Sequence, residues 1–288
     1  MKILITGSSG LFAREFLKNI SAKKNFKIFC ITRKKKKNKK NIFFYKIDLS
    51  KKMTKKLYFE KKIDYIIHNS FIKMNNHFLK KDIIKKNLLI TENLIKIINQ
   101  IQFKKIINFS SSSLYPNKKG IYSEKSQVNF LKNNDFPYAY SKHKSEQLLN
   151  KKIDQNKIIH LRIANIIFKD KNNSILSKIK QKIIKKNEIS IYGQGKRILN
   201  LIHFNKLIFY IYRIIRKNNL KGVYNISDYS INLKKLTLLI KNKYGNSKTK
   251  IIFHLKKNND QKNIINARKF FTKLNIKKPK IRNLINEI

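Results

Sequence analysis

Along residues 1–167, short apolar runs alternate with amphipathic segments studded with lysine. KILIT (2–6), FKIFCIT (26–32), IFFYKI (42–47), DYIIH (64–68), KKIINFS (104–110) and KIIHLRI (157–163) each read as a buried strand. Between them LFAREFLKNI (11–20) reads as a helix, residues 83–101 carry apolar side chains at helical spacing, and Pro137 opens a further helix. KKKKNKK (34–40) reads as a solvated loop. Strands apolar on both faces, alternating with helices, predict an α/β fold with a doubly wound parallel sheet.

Beyond residue 168 the rhythm loosens. Helices are expected at 174–186, 205–216 and 233–244, a strand and turn at ISIYGQGK, and a strand at GVYNIS (222–227). The division expected is a first domain over 1–167 and a smaller α/β lobe over 168–288, with segments near 200–228 able to return to the first domain.

Composition changes this picture in two places. Hydrophobic residues are 41% and aromatics 11% of the 288 residues, so a sizeable core can be buried. The formal net charge is +53. One reading is base-composition drift, because Lys, Ile and Asn are all encodable by A/T-rich codons and Lys is spread along the whole chain. The other is a binder of nucleic acid or an anionic membrane. Drift is preferred, and the charge implies non-specific, salt-dependent nucleic-acid binding in either case. Cys30, the single cysteine, lies in an apolar run and reads as a buried structural thiol with no disulfide or metal spacing around it. The N-terminal apolar run is too short for a signal peptide. No apolar stretch reaches the ~18 residues of a membrane helix. A cytoplasmic location is the default expectation.

Candidate chemistry starts with TGSSGLFA (6–13), between the first strand and the first helix, where a dinucleotide fingerprint belongs. Gly7 would allow the tight turn, Gly10 the approach of a pyrophosphate, and Ala13 close helix packing. The helix N-terminus then offers free N–H groups to phosphates. Where an acidic residue would bond the ribose of NAD, Thr32 and Arg33 stand instead. Arg33 could pair with the 2′-phosphate of NADP, or be one more surface cation. Asp48 could hydrogen-bond the adenine or cap the next helix.

The fifth strand runs into four serines, Ser110 to Ser113, where a hydroxyl could donate to a substrate carbonyl. PYAYSKHKSEQLL (137–149) holds two Tyr/Lys pairs at helical spacing, Tyr138/Lys142 and Tyr140/Lys144. Stepping back from Leu148 and Leu149 places Ser145, Ser141 or Lys142, and Tyr138 on the inward face. Tyr140, Lys144, Gln147 and Lys151 form a polar outward stripe. A phenol of pKa ~10 is a poor base at neutral pH, and a nearby ammonium with a positively charged nicotinamide would lower it. Tyr138 would then exchange a proton with a substrate hydroxyl or carbonyl during hydride transfer.

With these motifs in place, the sequence resembles the extended short-chain dehydrogenase/reductase family, of the NAD-dependent epimerase/dehydratase type. TGSSGLFA, DYIIHNS, Asn87 within KKNLLITENL, FSSSSLYP, PYAYSKHKSE and LRIAN follow in family order. The resemblance implies a Rossmann domain with a smaller C-terminal α/β substrate lobe. Tyr138, Ser141, Lys142 and Glu146 match the family's Tyr-x-x-Ser-Lys pattern with a later Glu, whereas His143 stands where the second pair would need Ser. Counting four residues back from Tyr115 gives Ser111 as the active-site hydroxyl. The implied cofactor contacts are Gly7, Ser9, Gly10 and Leu11 in the first loop, Arg33, Asp48 and Leu49 after the next two strands, and Asn69 and Lys142. The implied substrate contacts are Ser112, Asn165 and Arg197.

Two departures narrow the expectation. Ser112 and Ser113 stand where the family's dehydratases carry an acidic pair, which argues against dehydration. In YGQGKRILNLIHFNKL, Leu199 occupies the position of a phosphate-holding Arg, and Asn205 and Lys206 replace an Asp pair. Arg197, two residues away, is the expected substitute. NARKFFTKLNIKKP resembles the family's terminal helix, from which a complete chain is expected. A homodimer through residues 83–101 and 137–151 is also implied.

The expected activity is that of an NAD(P)-dependent epimerase or 4-keto reductase acting on a nucleotide-activated sugar through Ser111, Tyr138 and Lys142. NADP is favoured over NAD by Arg33. The competing expectation, carried by charge alone, is a dinucleotide-fold RNA-binding protein with little or no catalysis.

Overall fold

The computed structural model describes residues 1–21, 25–53, 60–73, 79–131, 133, 135–168, 175–254, 262–281 and 283–284. Strand β1 (Lys2–Thr6) leads into α1 (Leu11–Ser21), β2 (Lys27–Thr32), β3 (Ile42–Lys46) and β4 (Lys62–His68). Next come α2 (Lys80–Ile98), β5 (Gln102–Ser111), β6 (Gly120–Tyr122) and α3 (Phe136–Lys152). They are followed by β7 (Ile158–Ile163), β8 (Asn165–Ile167), α4 (Ile175–Lys186), β9 (Glu188–Tyr192) and β10 (Ile198–His203). The chain continues through α5 (Phe204–Lys217), β11 (Gly222–Ile226), β12 (Tyr229–Asn232) and α6 (Leu233–Tyr244), then β13 (Lys250–His254), β14 (Asn263–Ile265) and α7 (Arg268–Leu274). Ser174, expected to open α4, lies outside the described residues.

Two compact units emerge. The first comprises Met1–Leu114, Asn133–Arg162 and Ile214–Tyr224, and the second Tyr115–Lys132, Ile163–Arg213 and Asn225–Ile288. The first is built on a parallel sheet of seven strands in the order β11-β7-β5-β4-β1-β2-β3. The chain winds outward from β1 through β2 to β3, then restarts at β4 on the other side of β1. The β1/β4 boundary is thus a topological switch point, and ligands of such sheets bind beyond the carboxyl ends of the strands there.

Apolar residues on both faces explain why these strands are interior. Ile3, Leu4, Ile5, Ile28, Phe29 and Ile31 are all buried. α1 covers the sheet with Phe12, Ala13, Phe16, Leu17 and Ile20, which recur at helical spacing and are all buried. On α2, Ile90, Leu94, Ile97 and Ile98 pack into a core with Leu4, Ile66 and Ile106. Thr91 Oγ1 and Ser145 Oγ lie 2.9 Å apart, so small residues join α2 to α3 at close range. Cys30 is buried, and burial pushes its thiol up to about 12, which leaves it an inert core residue.

The second unit has a three-stranded sheet, β12-β10-β8, and two parallel pairs, β13-β9 and β14-β6. Its core gathers Leu176, Ile179, Ile183, Leu199, Leu236 and Ile240. Buried Asn200 ties it together, donating to Asn263 O at 2.9 Å and accepting from Ser230 Oγ at 2.7 Å and Ile265 N at 3.1 Å. Among the described residues, no helix is long and apolar enough to cross a membrane, and no group of His, Cys, Asp or Glu could hold a metal ion.

Candidate functional site

The loop between β1 and α1 is shaped by two glycines. Gly7 has φ +69°, a left-handed conformation, and a Cβ there would lie 2.8 Å from Ser70 Cα on the loop after β4. The two switch-point loops therefore touch backbone to backbone. Gly10 N donates to Gly7 O at 2.9 Å, and Arg14 N donates to Gly10 O at 3.0 Å as α1 begins. Ser8 Oγ donates to Ile31 O at 3.0 Å, and Ser9 Oγ lies 2.7 Å from Thr32 Oγ1, which fastens the turn to β2. Gly7→Ala combines backbone strain with a clash that no rotamer relieves. It is expected to cost about 1–3 kcal/mol of stability and to weaken NADH binding about tenfold or more, read by thermal melting and by titration of NADH fluorescence.

Beside this turn opens a cleft of about 210 Å³ lined by Gly7, Gly10, Arg33, Asp48, Asn69 and Phe71, among others. Ser9 and Leu49 also line it, while Leu11 is the first residue of α1. Arg33 is exposed at its edge. Asp48 Oδ1 accepts from Ser50 N at 3.0 Å and Ser50 Oγ at 2.6 Å, so it closes a turn of its own loop. The glycine cradle, the helix N-terminus and the cleft fit a dinucleotide.

Two buried asparagines on α2 hold the walls. Asn87 Oδ1 accepts from Ile72 N at 2.8 Å and its Nδ2 donates to Ile72 O at 3.0 Å, clamping the loop after β4. Asn93 Nδ2 donates to Leu49 O at 2.9 Å and Lys51 O at 2.7 Å, clamping the loop after β3. Asn93 was not anticipated; its signal was a polar residue on the apolar stripe of α2.

α3 starts as expected, with Pro137 in its first turn. Ser141, Lys142, Ser145, Glu146 and Leu149 are buried, Tyr138 is half-buried, and Gln147 and Lys151 are exposed. The second pair is half-buried on the other side, with Lys144 Nζ 5.7 Å from the Tyr140 ring centroid. Lys142 Nζ donates to Phe109 O on β5 and sits 3.5 Å from the centroid of Phe71. The Phe71 ring meets Tyr138 edge-on at 6.3 Å. Burial, with Lys73 nearby, brings the Lys142 ammonium down to about 7 against the pull of Glu146. The Tyr138 phenol is pushed up rather than down, by burial and then by Asp135. The sequence argument placed a lowering influence on this phenol, but desolvation is the larger effect and Asp135 adds to it.

Ser111 ends β5, and Ser112 opens the 3₁₀ turn that follows. Ser111 Oγ accepts from Ser113 N at 3.1 Å and lies 2.7 Å from Ser113 Oγ. Behind the helix, Arg162 Nε donates to Glu146 Oε1 at 3.1 Å and its Nη2 donates to Oε2 at 2.8 Å. This buried bidentate pair fixes α3 to β7. The other two substrate candidates belong to the second unit. Asn165 is exposed and donates to Asn200 O at 3.3 Å. Arg197 is half-buried, which lowers its guanidinium pKa, and Leu199 is buried in that unit's core.

Residues 3–227 match the NAD dependent epimerase/dehydratase family. The chain belongs to that family. Among curated relatives of this epimerase/dehydratase chain is the GDP-6-deoxy-D-talose 4-dehydrogenase of Aggregatibacter actinomycetemcomitans, 26% identical over 224 residues, covering 75% of this chain and 71% of the relative. Among solved structures, the Bordetella bronchiseptica enzyme WbmG in complex with NAD superposes with TM-score 0.80 at 13% identity, covering 100% of this chain and 92% of that one. UDP-glucuronic acid 4-epimerase from Bacillus cereus, in complex with UDP-glucuronic acid and NAD, superposes at 0.76 and 18% identity, covering 100% and 97%. These likenesses bear out the α/β fold with its large parallel sheet and the resemblance to extended epimerases and dehydratases.

Proposed function

We propose that this epimerase/dehydratase-family enzyme moves hydride between NAD(P) and a nucleotide-activated sugar, with Ser111, Tyr138 and Lys142 as its catalytic residues. One observation carries the reading: Phe71, a wall of the dinucleotide cleft, also touches both Tyr138 and Lys142. The acid/base pair and the cleft are therefore joined through one side chain. The dinucleotide supplies the hydride when bound. Tyr138 gives or takes the proton at the reacting sugar oxygen, Lys142 biases that phenol toward ionisation, and Ser111 donates to the same oxygen. Gly7, Ser9, Gly10, Leu11 and Asn69 hold the phosphates and ribose, with Asp48 and Leu49 along the adenosine side. Arg33 at the cleft edge supports NADP. Ser112, Asn165 and Arg197 are assigned to the sugar nucleotide, a substrate class supported by the names of the relatives. Without an acidic pair after Ser111, the reading is an epimerase or a 4-keto reductase.

The test is the protein as purified. Denaturation and mass spectrometry of the supernatant read whether nicotinamide dinucleotide is retained. Stoichiometric retention with interconversion of sugar epimers identifies an epimerase. An exchangeable cofactor, with NADPH or NADH oxidised in the presence of a nucleotide 4-keto sugar, identifies a reductase. NADPH is expected to bind more tightly than NADH, with Arg33→Ala abolishing the preference. No dinucleotide binding at physiological salt would overturn the proposal.

A further inference from the structure

Lys142 is a buried cation without a carboxylate of its own. Glu146, one helical turn along α3, is engaged by both nitrogens of Arg162 from β7. The other groups facing the ammonium offer no counter-charge. Lys73, on the loop after β4, repels it, and the Tyr138 phenol is held protonated. His68, at the end of β4, is kept neutral by burial and then by Lys142 itself, its pKa brought down to about 3. Three contacts remain: the Phe109 carbonyl on β5, the face of Phe71, 3.5 Å from Nζ to the ring centroid, and the more distant ring of Tyr138, 5.7 Å from Nζ to its centroid. An aromatic face attracts a desolvated ammonium through its quadrupole.

The ring is itself held in place. Its edge meets Tyr138 at 6.3 Å and His68 at 5.8 Å. The next residue, Ile72, is gripped at both its N–H and its carbonyl by buried Asn87. The imidazole is fixed in turn: Thr6 Oγ1 accepts from Asn69 N and Ser70 N, so its proton goes to His68 Nδ1 at 2.8 Å. A loop with no periodic structure of its own thus presents one aromatic face at a fixed place.

We propose that Phe71 is a positioning residue for Lys142, its ring face serving as the partner that keeps the ammonium charged and seated between β5 and the loop after β4. The inference deepens the reading of Lys142 as a catalytic residue and rests on it. Any aliphatic residue of similar size would fill the space at position 71 but would leave the cation with the Phe109 carbonyl and only the more distant ring of Tyr138.

The experiment uses the full chain labelled with lysine bearing carbon-13 at the ε position. Protons held over a ring face are displaced upfield, which separates Lys142 from the crowd in a chain with 68 Lys and Arg. Among the described residues, other lysines lie over rings at 4.3 Å or more, such as Lys180 over Tyr244, so the Lys142 resonance is expected to be the upfield one that is absent in Lys142→Met and titrates near 7. Phe71→Leu is expected to abolish the displacement and lower the titration midpoint by about one pH unit, the scale of a desolvated cation–π contact. Phe71→Tyr, which keeps the ring face, should retain both. An unchanged midpoint in Phe71→Leu overturns the proposal. So does a wild-type spectrum in which no upfield lysine resonance titrates near 7, a result that does not depend on a variant folding. The measurement needs no turnover. If Lys142 were not catalytic, Lys142→Met would keep full activity while the resonance behaved as described.

Discussion

Tyr138→Phe is expected to lower turnover on an identified nucleotide sugar by about 10²–10⁴-fold, the usual worth of a positioned acid/base group. The substitution removes one oxygen. The ring that meets Phe71 remains, so the fold and the cleft stay intact. NADH affinity should therefore change little while the rate collapses, a split that separates chemistry from binding. Tyr140→Phe is the control. Tyr140 lies against Phe136 and Lys144, and loss of its hydroxyl should leave turnover near wild type. Steady-state rates for both variants decide the matter. Full activity in Tyr138→Phe would remove this residue from the mechanism, and a collapse in Tyr140→Phe instead would reassign it to the other pair.

Both pairs have the same spacing and residue types, so the sequence separates them by helix face and by the neighbouring Ser141, where the second pair has His143. Leu149 anchors the buried side and Pro137 lies in the first turn, and of the two lysines Lys142 is buried and Lys144 half-buried, whereas both tyrosines are half-buried. The six strands of the first domain were legible for a related reason: short runs rich in Ile, Leu and Phe, with few polar residues among them, read as strands of a covered parallel sheet, although β3, at the sheet edge, is only partly buried. β6 and β14 were not legible. Each has three residues, and each is a strand only because it pairs with the other from the far end of the chain. β10 is broken by Asn200, whose burial is intelligible only once Asn263 and Ser230 are seen around it. Phe71 escaped for a different reason. An aromatic in a loop carries no periodic signal, and its partner Lys142 is 71 residues away in a chain where Lys is everywhere. Asn87 and Asn93 show the intermediate case. Their position on an apolar stripe marks them as buried polar groups, but not which loops they hold.

Lys142→Met should inactivate the enzyme and make it more stable. In the fold, burial is the main cause that brings the ammonium from 10.5 to about 7, so between those values the unfolded chain holds a proton that the folded chain has released. A depressed folded pKa means that the contribution to stability is complete above 10.5 and is lost as pH falls to about 7. At neutral pH the buried amine therefore costs the fold up to about 4 kcal/mol. Methionine fills the same space without a charge, although Phe109 O and Phe71 lose their partner, and a net gain of about 2 kcal/mol is expected. For a chain of this length that is a rise of about 4 °C in Tm. The sign is checked by repeating the melts across pH. The advantage of Lys142→Met should be greatest at pH 7 and below, shrink as pH rises, and vanish above about 10.5, where lysine is neutral in both states. Lys142→Arg should do the reverse at every pH, since guanidinium cannot shed its proton there and must be buried charged. A Lys142→Met variant that melts below wild type at pH 7 would mean that the Phe71 and Phe109 contacts outweigh desolvation. A lysine that stabilises the resting fold would then no longer count as a strained group retained for catalysis.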